Sequence, residues 1–445
     1  MRSVARIRGH TLIVRGGAVV RQALVDVAAR ANWRSWTLSA CFLATLACAA
    51  SSQVGNPSGP GPACKDTRGV FVRPTPVVRG LSTRVARFEN AVRWRGQTAI
   101  VGTDMPYFGE PVSDSLLFAY SGASLGAPSF DGWYAMPRIA AADSTLVLVW
   151  GEPADTNRRR LAFVPSRLSS LWASTFNRRS GWGKPEKLLA TSEIGWSSGN
   201  LVTSVKTGRV QMAVPVFSEA ERQRRVVYLA RDAKGWRHMP VPGTDGAVSS
   251  ALTEARDGTI ILAFVASDPS LTHDENSLFI TSSSNGGATW LPPQVVTHGG
   301  VRDPVVLVGS DDRLHVLWRQ MALREDGVDV IRHVVSLTLS QNRVWSDPSD
   351  LHARPGFFRF TSVVDGCGTV HVVYEDWHGG GEVGDVDYAA FRNGSWTEPV
   401  HVLPGWVSID PFLMLAENGE ISLFLLGHRG TAPKGKLANY QLVLE

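Results

Sequence analysis

Apolar and polar positions in this chain fall into short runs of strand length, each set off by turn residues. One series places a polar turn ahead of an apolar run: 144–150 (STLVLVW), 208–214 (GRVQMAV), 258–264 (GTIILAF), 312–318 (DRLHVLW), 368–374 (GTVHVVY) and 419–426 (GEISLFLL), with 96–102 (GQTAIVG) as a weaker first member. Runs of this length bounded by Gly, Asp and Asn predict strands. A second series marks another point of the same unit. Trp182, Trp236, Trp290, Trp345 and Trp396 each follow closely on Asn, Asp or Gly and precede Pro, at intervals of 54, 54, 55 and 51 residues. A fixed period of that size predicts a repeat architecture.

Each period reads as four short strands: one before the polar turn, one after it, a third ending in the Asn/Gly turn, and a fourth starting at Trp. Four antiparallel strands per period predict an all-β chain folded as a β-propeller, with seven blades over 65–445 and six as the alternative. The last period runs out of chain after three strands. Residues 69–78 (GVFVRPTPVV) are the segment left to supply the fourth, closing the ring and removing a bare edge. Pro74 and Pro76 suit an outer strand, since proline has no N–H for a central ladder.

Composition changes this picture little. The 445 residues carry a formal charge of +5, but 1–34 hold seven Arg against the single acid Asp26, which leaves the body near neutral. A near-neutral body gives no reason to expect nucleic acid or an anionic membrane as partner. Residues 35–50 (SWTLSACFLATLACAA) read as a secretory leader behind Arg30 and Arg34. The expected layout is an N-terminal extension and leader over 1–50, a Gly/Pro/Ser spacer over 51–64, and one propeller domain over 65–445. Leu46-Ala47-Cys48 resembles the end of a lipoprotein signal, so the open alternatives are a lipid anchor at Cys48, cleavage near Ala49 or Ala50, and a retained anchor. Export places the protein in the periplasm, outside the cell, or tethered at its surface. Cys64 and Cys367 then remain, and one disulfide between them would tie the N-terminal segment to the body.

The turn Ser283-Ser284-Asn285-Gly286-Gly287-Ala288-Thr289-Trp290 resembles the Asp-box, or bacterial neuraminidase repeat, of the sialidase-like propeller superfamily, with Asn285 in the place of the usual Asp. The other four Trp turns resemble degenerate versions, and the periodic pattern spans about residues 90 to 400. The resemblance implies a propeller and a family that includes sialidases, other glycan-active enzymes and binding propellers. It implies no chemistry, because the box is a folding device: glycine takes the positive φ, the Asx side chain binds turn backbone, and Trp packs between sheets. Sialidases of this superfamily use an Arg-Ile-Pro motif, which this chain lacks. Pro137-Arg138-Ile139 is the closest string, with its proline on the other side.

Propeller sites form where loops enter the first strand and leave the second strand of each blade. Counting by period, those positions hold Arg138, Arg302, Asp303, Arg359 and Asp410 on the entering side. On the leaving side stand Trp150, Glu152, Trp318, Arg319, Glu375, Asp376, Trp377, His378, His428 and Arg429. Indoles stack on sugar rings, Arg forks hold carboxylates, and paired acids and bases move protons. Glu375, Asp376, His378, Glu152 and Asp410 are therefore the candidate catalytic groups, and the remaining ten are candidate substrate contacts. Tyr374 and Glu375 are adjacent on a strand, point oppositely and form no dyad. His315 and His371 repeat at one strand position, which assigns them to packing. No metal spacing and no cofactor motif stands out. The expected function is a monomeric, exported, sialidase-like propeller that recognises extracellular glycans, as a glycoside hydrolase, with a non-catalytic binding propeller and a polysaccharide lyase as alternatives.

Overall fold

The computed structural model describes residues 4–7, 10–13, 71–76, 86–104, 116–120, 123–124, 126, 128–130, 135–142, 144–153, 168–194, 201–204, 206–218, 221–267, 276–321, 329–336, 338, 343–352, 359–377, 384–416, 418–429 and 438–444. The chain divides into two compact units, Met1–Gly59 and Pro60–Glu445. Described in the first is an antiparallel hairpin, Val4–Ile7 with His10–Ile13. The second unit is an all-β propeller of four-stranded antiparallel blades, with no helix among the described residues. Correspondingly, no helix among them is long and apolar enough to cross a membrane.

The first repeat consists of Ala86–Trp94, Gln97–Asp104, Leu116–Tyr120 and Ala123–Ser124. Ala135–Ala142, Thr145–Pro153, Leu168–Asn177 and Glu186–Ile194 make the second, and Val202–Thr203, Val210–Ser218, Gln223–Asp232 and Gly235–Pro240 the third. The fourth is Ala247–Glu254, Ile260–Ser267, Asn276–Ser283 and Gln294–Thr297; the fifth is Val301–Val308, Leu314–Gln320, Val330–Ser336 and Ser349–His352. Phe360–Val364, Val370–Trp377 and Gly384–Arg392, edged by Ser395–Trp396 and Val400–His401, form the sixth. In the last, Trp406–Leu415, Ile421–Arg429 and Ala438–Leu444 are completed by Phe71–Pro76 from the far end of the chain. Six sheets carry these repeats, because Ile194 pairs with Val216 and splices the second and third into one nine-stranded sheet. Counted by sheets the propeller has six blades, the alternative expected from the period, with two of the sequence repeats sharing one of them.

Why the second strands read as unbroken apolar runs is now plain. Each lies deep in its blade with a neighbouring blade on either side, so Val210–Val216 and Ile260–Ala266 are buried at every position. The Trp series lies where the period predicts, in or up to four residues ahead of the fourth element. Each indole packs against the apolar cluster shared with the preceding repeat: Trp182 near Trp94, Trp290 near Tyr228, Trp345 near Val265, Trp396 near Leu317. At the turn before Trp290, Ser283 Oγ accepts from Gly287 N–H at 2.9 Å, Asn285 Oδ1 accepts from Thr289 N–H at 2.9 Å, and the indole N–H donates to Gly287 O at 3.1 Å. Gly287 has φ +87°, and a Cβ there would lie 2.4 Å from the Tyr228 ring. Gly287→Ala is expected to lower stability by about 2–4 kcal/mol, from left-handed strain plus overpacking, read as a shift of the urea midpoint.

The ring closes on itself. Ala91 and Ile100 of the first repeat pack on Met414 and Phe424 of the last, and Arg93 Nη2 lies 3.8 Å from Glu420 Oε1. The N-terminal closing strand foreseen at 69–78 is found at Phe71–Pro76, hydrogen-bonded to Ala438–Leu444 on the outer edge where its prolines cost no ladder bond. Cys367 is disulfide-bonded. Cys64, its expected partner, lies outside the described residues, as do Cys41 and Cys48.

A buried polar seam recurs between second and third strands. Tyr228 OH donates to Gln211 Oε1 at 2.6 Å, His315 Nδ1 meets His333 Nε2 at 3.1 Å, His371 Nδ1 meets Tyr388 OH at 2.8 Å, and Gln441 Nε2 donates to Ser422 Oγ at 3.1 Å. Burial holds His315 at about 4, and His333 at about 3 with help from the His315 charge. The unfolded chain takes up these protons near pH 6.5 while the folded chain resists. Stability is therefore complete above pH 6.5 and is expected to fall by several kcal/mol by pH 4. Urea unfolding at pH 7, 5.5 and 4.5 measures this slope, and His333→Gln should flatten it.

Candidate functional site

The structure sorts the rim residues into those it gathers and those it buries. Trp150 and Trp318 have no exposed surface. Trp150 packs with Trp94 and Ile139 and meets the Phe130 ring edge-on at 5.2 Å. Trp318 packs with Ile261 and Val265 of the fourth repeat and donates Nε1 to Gln320 Oε1 at 3.1 Å. Neither indole presents a face to a sugar, which corrects the stacking role expected of them. The physical reason is that second strands stay covered by neighbouring blades almost to their ends.

Glu152 is turned along its own sheet. Its Oε2 accepts from Ser170 Oγ at 2.6 Å and from Trp172 Nε1 at 3.1 Å, both on the third strand of that repeat. Arg138 is partly buried and donates Nη1 to Pro137 O at 3.1 Å. Glu375 is 1% exposed, and its N–H donates to Arg359 O at 2.9 Å. Tyr374 belongs to the cluster shared with the fifth repeat and Val373 to the one shared with the last, so strand alternation puts Tyr374 and Glu375 on opposite faces as expected. His428 is buried at the end of the last repeat's second strand. Asp376, Trp377, Asp410 and Arg429 lie in strands, but their side chains are outside the described residues, and so is the whole of His378.

Four of the named residues come together at the junction of the fifth and sixth repeats. Arg302 and Arg319 are direct cross-strand partners. Between Arg302 and Val305 the ladder shifts register, and the extra residues are Asp303 and Pro304. Proline has no N–H to offer a partner strand, so the bulge falls there. Asp303 takes φ +49°, a left-handed conformation that is uncommon outside glycine and tolerated best by Asp and Asn. The same device occurs in the second repeat, where Met136 has φ +49° ahead of Pro137 within the Ala135/Arg138 shift. In the last repeat the Ile409/Phe412 shift encloses Asp410 and Pro411.

Burial pushes the Asp303 carboxyl above the usual carboxylate range, against the opposing pull of Arg319, Arg302 and Arg359. One partly buried acid thus lies within the field of three guanidinium groups, two on paired strands and the third on the residue ahead of Phe360–Val364. Arg302 is exposed. Arg319 is gripped from the start of the third strand by Asp329, whose Oδ2 accepts from Nε at 2.8 Å and Nη2 at 2.5 Å. Asp329 is the member that reading by period misses. It precedes an apolar strand without belonging to either loop series, and the cross-strand register, which sets Ile331 opposite Arg319, brings it diagonally within reach of that guanidinium. An arrangement of this kind can hold an anionic group by bidentate hydrogen bonds and can take up or give a proton at Asp303. Among the described residues, no three His, Cys, Asp or Glu side chains converge as metal ligands.

Neither a protein-family model nor a curated protein matches the chain by sequence. Similar folds do occur among solved structures. A polysaccharide lyase, an ulvan lyase with bound GlcA(1-4)Rha3S, is 10% identical with a TM-score of 0.53, over 84% of this chain and 96% of its own. The polysaccharide lyase Uly1 is 12% identical with a TM-score of 0.49, over 86% and 93%. A mutant NanB sialidase from Streptococcus pneumoniae is 10% identical with a TM-score of 0.46, over 71% and 68%.

Proposed function

We propose that this chain is an exported propeller that recognises extracellular glycans carrying negative charge, and that it acts on them. The observation that carries this reading is the cross-strand pairing of Arg302 with Arg319 beside the bulge at Asp303, whose carboxyl feels the charges of both and of Arg359. Guanidinium forks fit carboxylate and sulfate oxygens in pairs, and a nearby acid supplies the proton transfer that breaking a glycosidic bond requires. An ulvan lyase of similar fold was solved with an acidic saccharide, in keeping with that substrate class. The Asp-box likeness of 283–290 and the sialidase neighbour support the same broad assignment to carbohydrate. Export rests on the leader at 35–50, with Cys48 as the point of lipid attachment if the chain is tethered, and the protein is proposed to work as a monomer.

A digestion screen of the purified chain against sialosides, uronate polysaccharides and neutral glycans tests this, reading new reducing ends and ultraviolet absorbance of unsaturated products. Reducing ends alone identify a hydrolase, and absorbance identifies a lyase. Binding on a glycan array without turnover identifies a non-catalytic propeller. No binding and no turnover on any glycan would overturn the reading.

A further inference from the structure

The fifth repeat lacks a side chain that the sixth one has. The turns between their first and second strands align residue for residue: Gly309 N–H donates to Arg313 O at 2.8 Å, and Asp365 N–H donates to Thr369 O at 3.0 Å. Gly309 thus stands where Asp365 does, and His315 where His371 does. In the sixth repeat the Asp365 carboxylate meets His371 Nε2 at 3.2 Å, and His371 Nδ1 meets Tyr388 OH at 2.8 Å. In the fifth, His315 Nδ1 is engaged by His333 Nε2, but the ring is only 3% exposed and its Nε2 has no hydrogen-bond partner. A Cβ added to Gly309 would lie 2.6 Å from Asp311 Oδ1, 3.6 Å from His315 Nε2 and 3.7 Å from Arg313 O. A carboxylate, an imidazole nitrogen and a carbonyl therefore border one small cradle. From this arrangement we infer that the cradle binds an imidazole-seeking divalent cation such as zinc, through His315 Nε2 and Asp311 Oδ1 with Arg313 O beside them. The inference is independent of glycan recognition.

Hydrogen bonding along the seam sets the histidine form that a metal needs. Ser349 Oγ donates to His333 O at 3.3 Å, so toward His333 Nδ1, 3.4 Å away, it acts as acceptor. His333 then carries its proton on Nδ1 and accepts at Nε2 from His315 Nδ1–H. That leaves His315 Nε2 a bare lone pair on an oriented ring. Burial keeps the ring neutral, holding it at about 4. Asp311 is 40% exposed, which opens the cradle to solvent, and water can complete the shell of a four-coordinate ion.

The charges around the cradle are few. The turn itself carries Asp311 and Asp312 against Arg313, whose Nε holds the other Asp311 oxygen, Oδ2, at 3.1 Å. Across the blade junction, Asp365 is bonded to His371, and a Cβ on Gly368 would lie 3.4 Å from Asp311 Oδ2. His333 packs on the Phe391 and Trp396 rings, next to Arg392. Arg332 is paired with Asp350, and Arg343 donates to Ser282 Oγ of the fourth repeat. Residues 337 and 339–342, between the third and fourth strands, carry no charge.

The test is equilibrium dialysis of the full chain against zinc chloride at pH 7 and 5.5, with the bound ion counted by atomic absorption. Exposed histidines take up protons near pH 6.5 and release metal between those values, whereas His315 stays neutral. Wild type is expected to keep one zinc ion per chain at pH 5.5. Gly309→Ala puts a methyl into the cradle and should lower that affinity about tenfold or more. The fold accepts alanine there, because Gly309 is not left-handed and Ala255 and Ala416 hold the same place, with the same turn bond, in the fourth and last repeats. His315→Gln should lose the ion as well, and it copies Gln211 of the third repeat, which pairs with the third strand. No zinc kept by wild type at pH 5.5, or equal binding in both variants and wild type, would overturn the inference. Loss in His315→Gln with full binding in Gly309→Ala would overturn the cradle as its place.

Discussion

Trp318→Ala is expected to cost about 3–5 kcal/mol of folding stability, the range for emptying a fully buried indole site, while leaving the glycan affinity of the folded fraction unchanged. The ring is wholly enclosed between the fourth and fifth repeats, so its removal opens a cavity there. The neighbouring Arg319 should keep its hold on Asp329, because that contact lies on the other face of the strand. A stacking platform would behave oppositely, losing affinity with little loss of stability. Chemical denaturation paired with binding at saturating native conditions separates the two. A tenfold loss of affinity in the folded protein would restore the indole to the site.

Removing residues up to 78 is expected to abolish the single cooperative unfolding transition of the propeller, or to lower stability by on the order of 5 kcal/mol where a transition survives. The deleted segment carries Phe71, which is buried against Tyr388 at 5.3 Å between ring centroids, and supplies the ladder to Ala438–Leu444. Without it the last sheet exposes a bare strand edge, which recruits other chains. Calorimetry and light scattering on the truncated chain measure both effects. Phe71→Ala should give roughly 3–5 kcal/mol with the ladder preserved. A truncated chain that melted as wild type would show the closing strand to be dispensable.

How much of this was legible beforehand depends on the residue. The blade period is readable because a large aromatic after each third strand must reach the preceding blade, so Trp182 through Trp396 report a spacing that packing enforces. The closing strand is readable because one repeat lacks a partner and proline restricts where the missing one can lie. His315 and His371 read as structural for a sound reason: position for position they are Gln211 and Ser422, each paired to the third strand. The site is legible only as a set of strand ends. Chemistry at those ends names Arg302, Asp303, Arg319 and Arg359, but the side chosen by each side chain comes from strand alternation and blade contact. That is why Trp318 disappears into the core one residue away from Arg319, which does not. Glu152 shows the same limit, since its hydrogen bonds to Ser170 and Trp172 leave it facing along its own sheet. The splice at Ile194 and Val216 has no sequence signature at all, because a single backbone pair needs no particular side chain.

The bulge ahead of proline carries a wider consequence. Among the described residues the ladder shifts ahead of a proline three times, at Met136 in the second repeat, Asp303 in the fifth and Asp410 in the last, and in the second repeat the residue at that place is turned into the core. In such a ring a reactive group can migrate between repeats by exchange of one side chain, with no change in the scaffold beneath it. A lineage of these propellers can therefore keep its architecture while relocating or duplicating its chemistry.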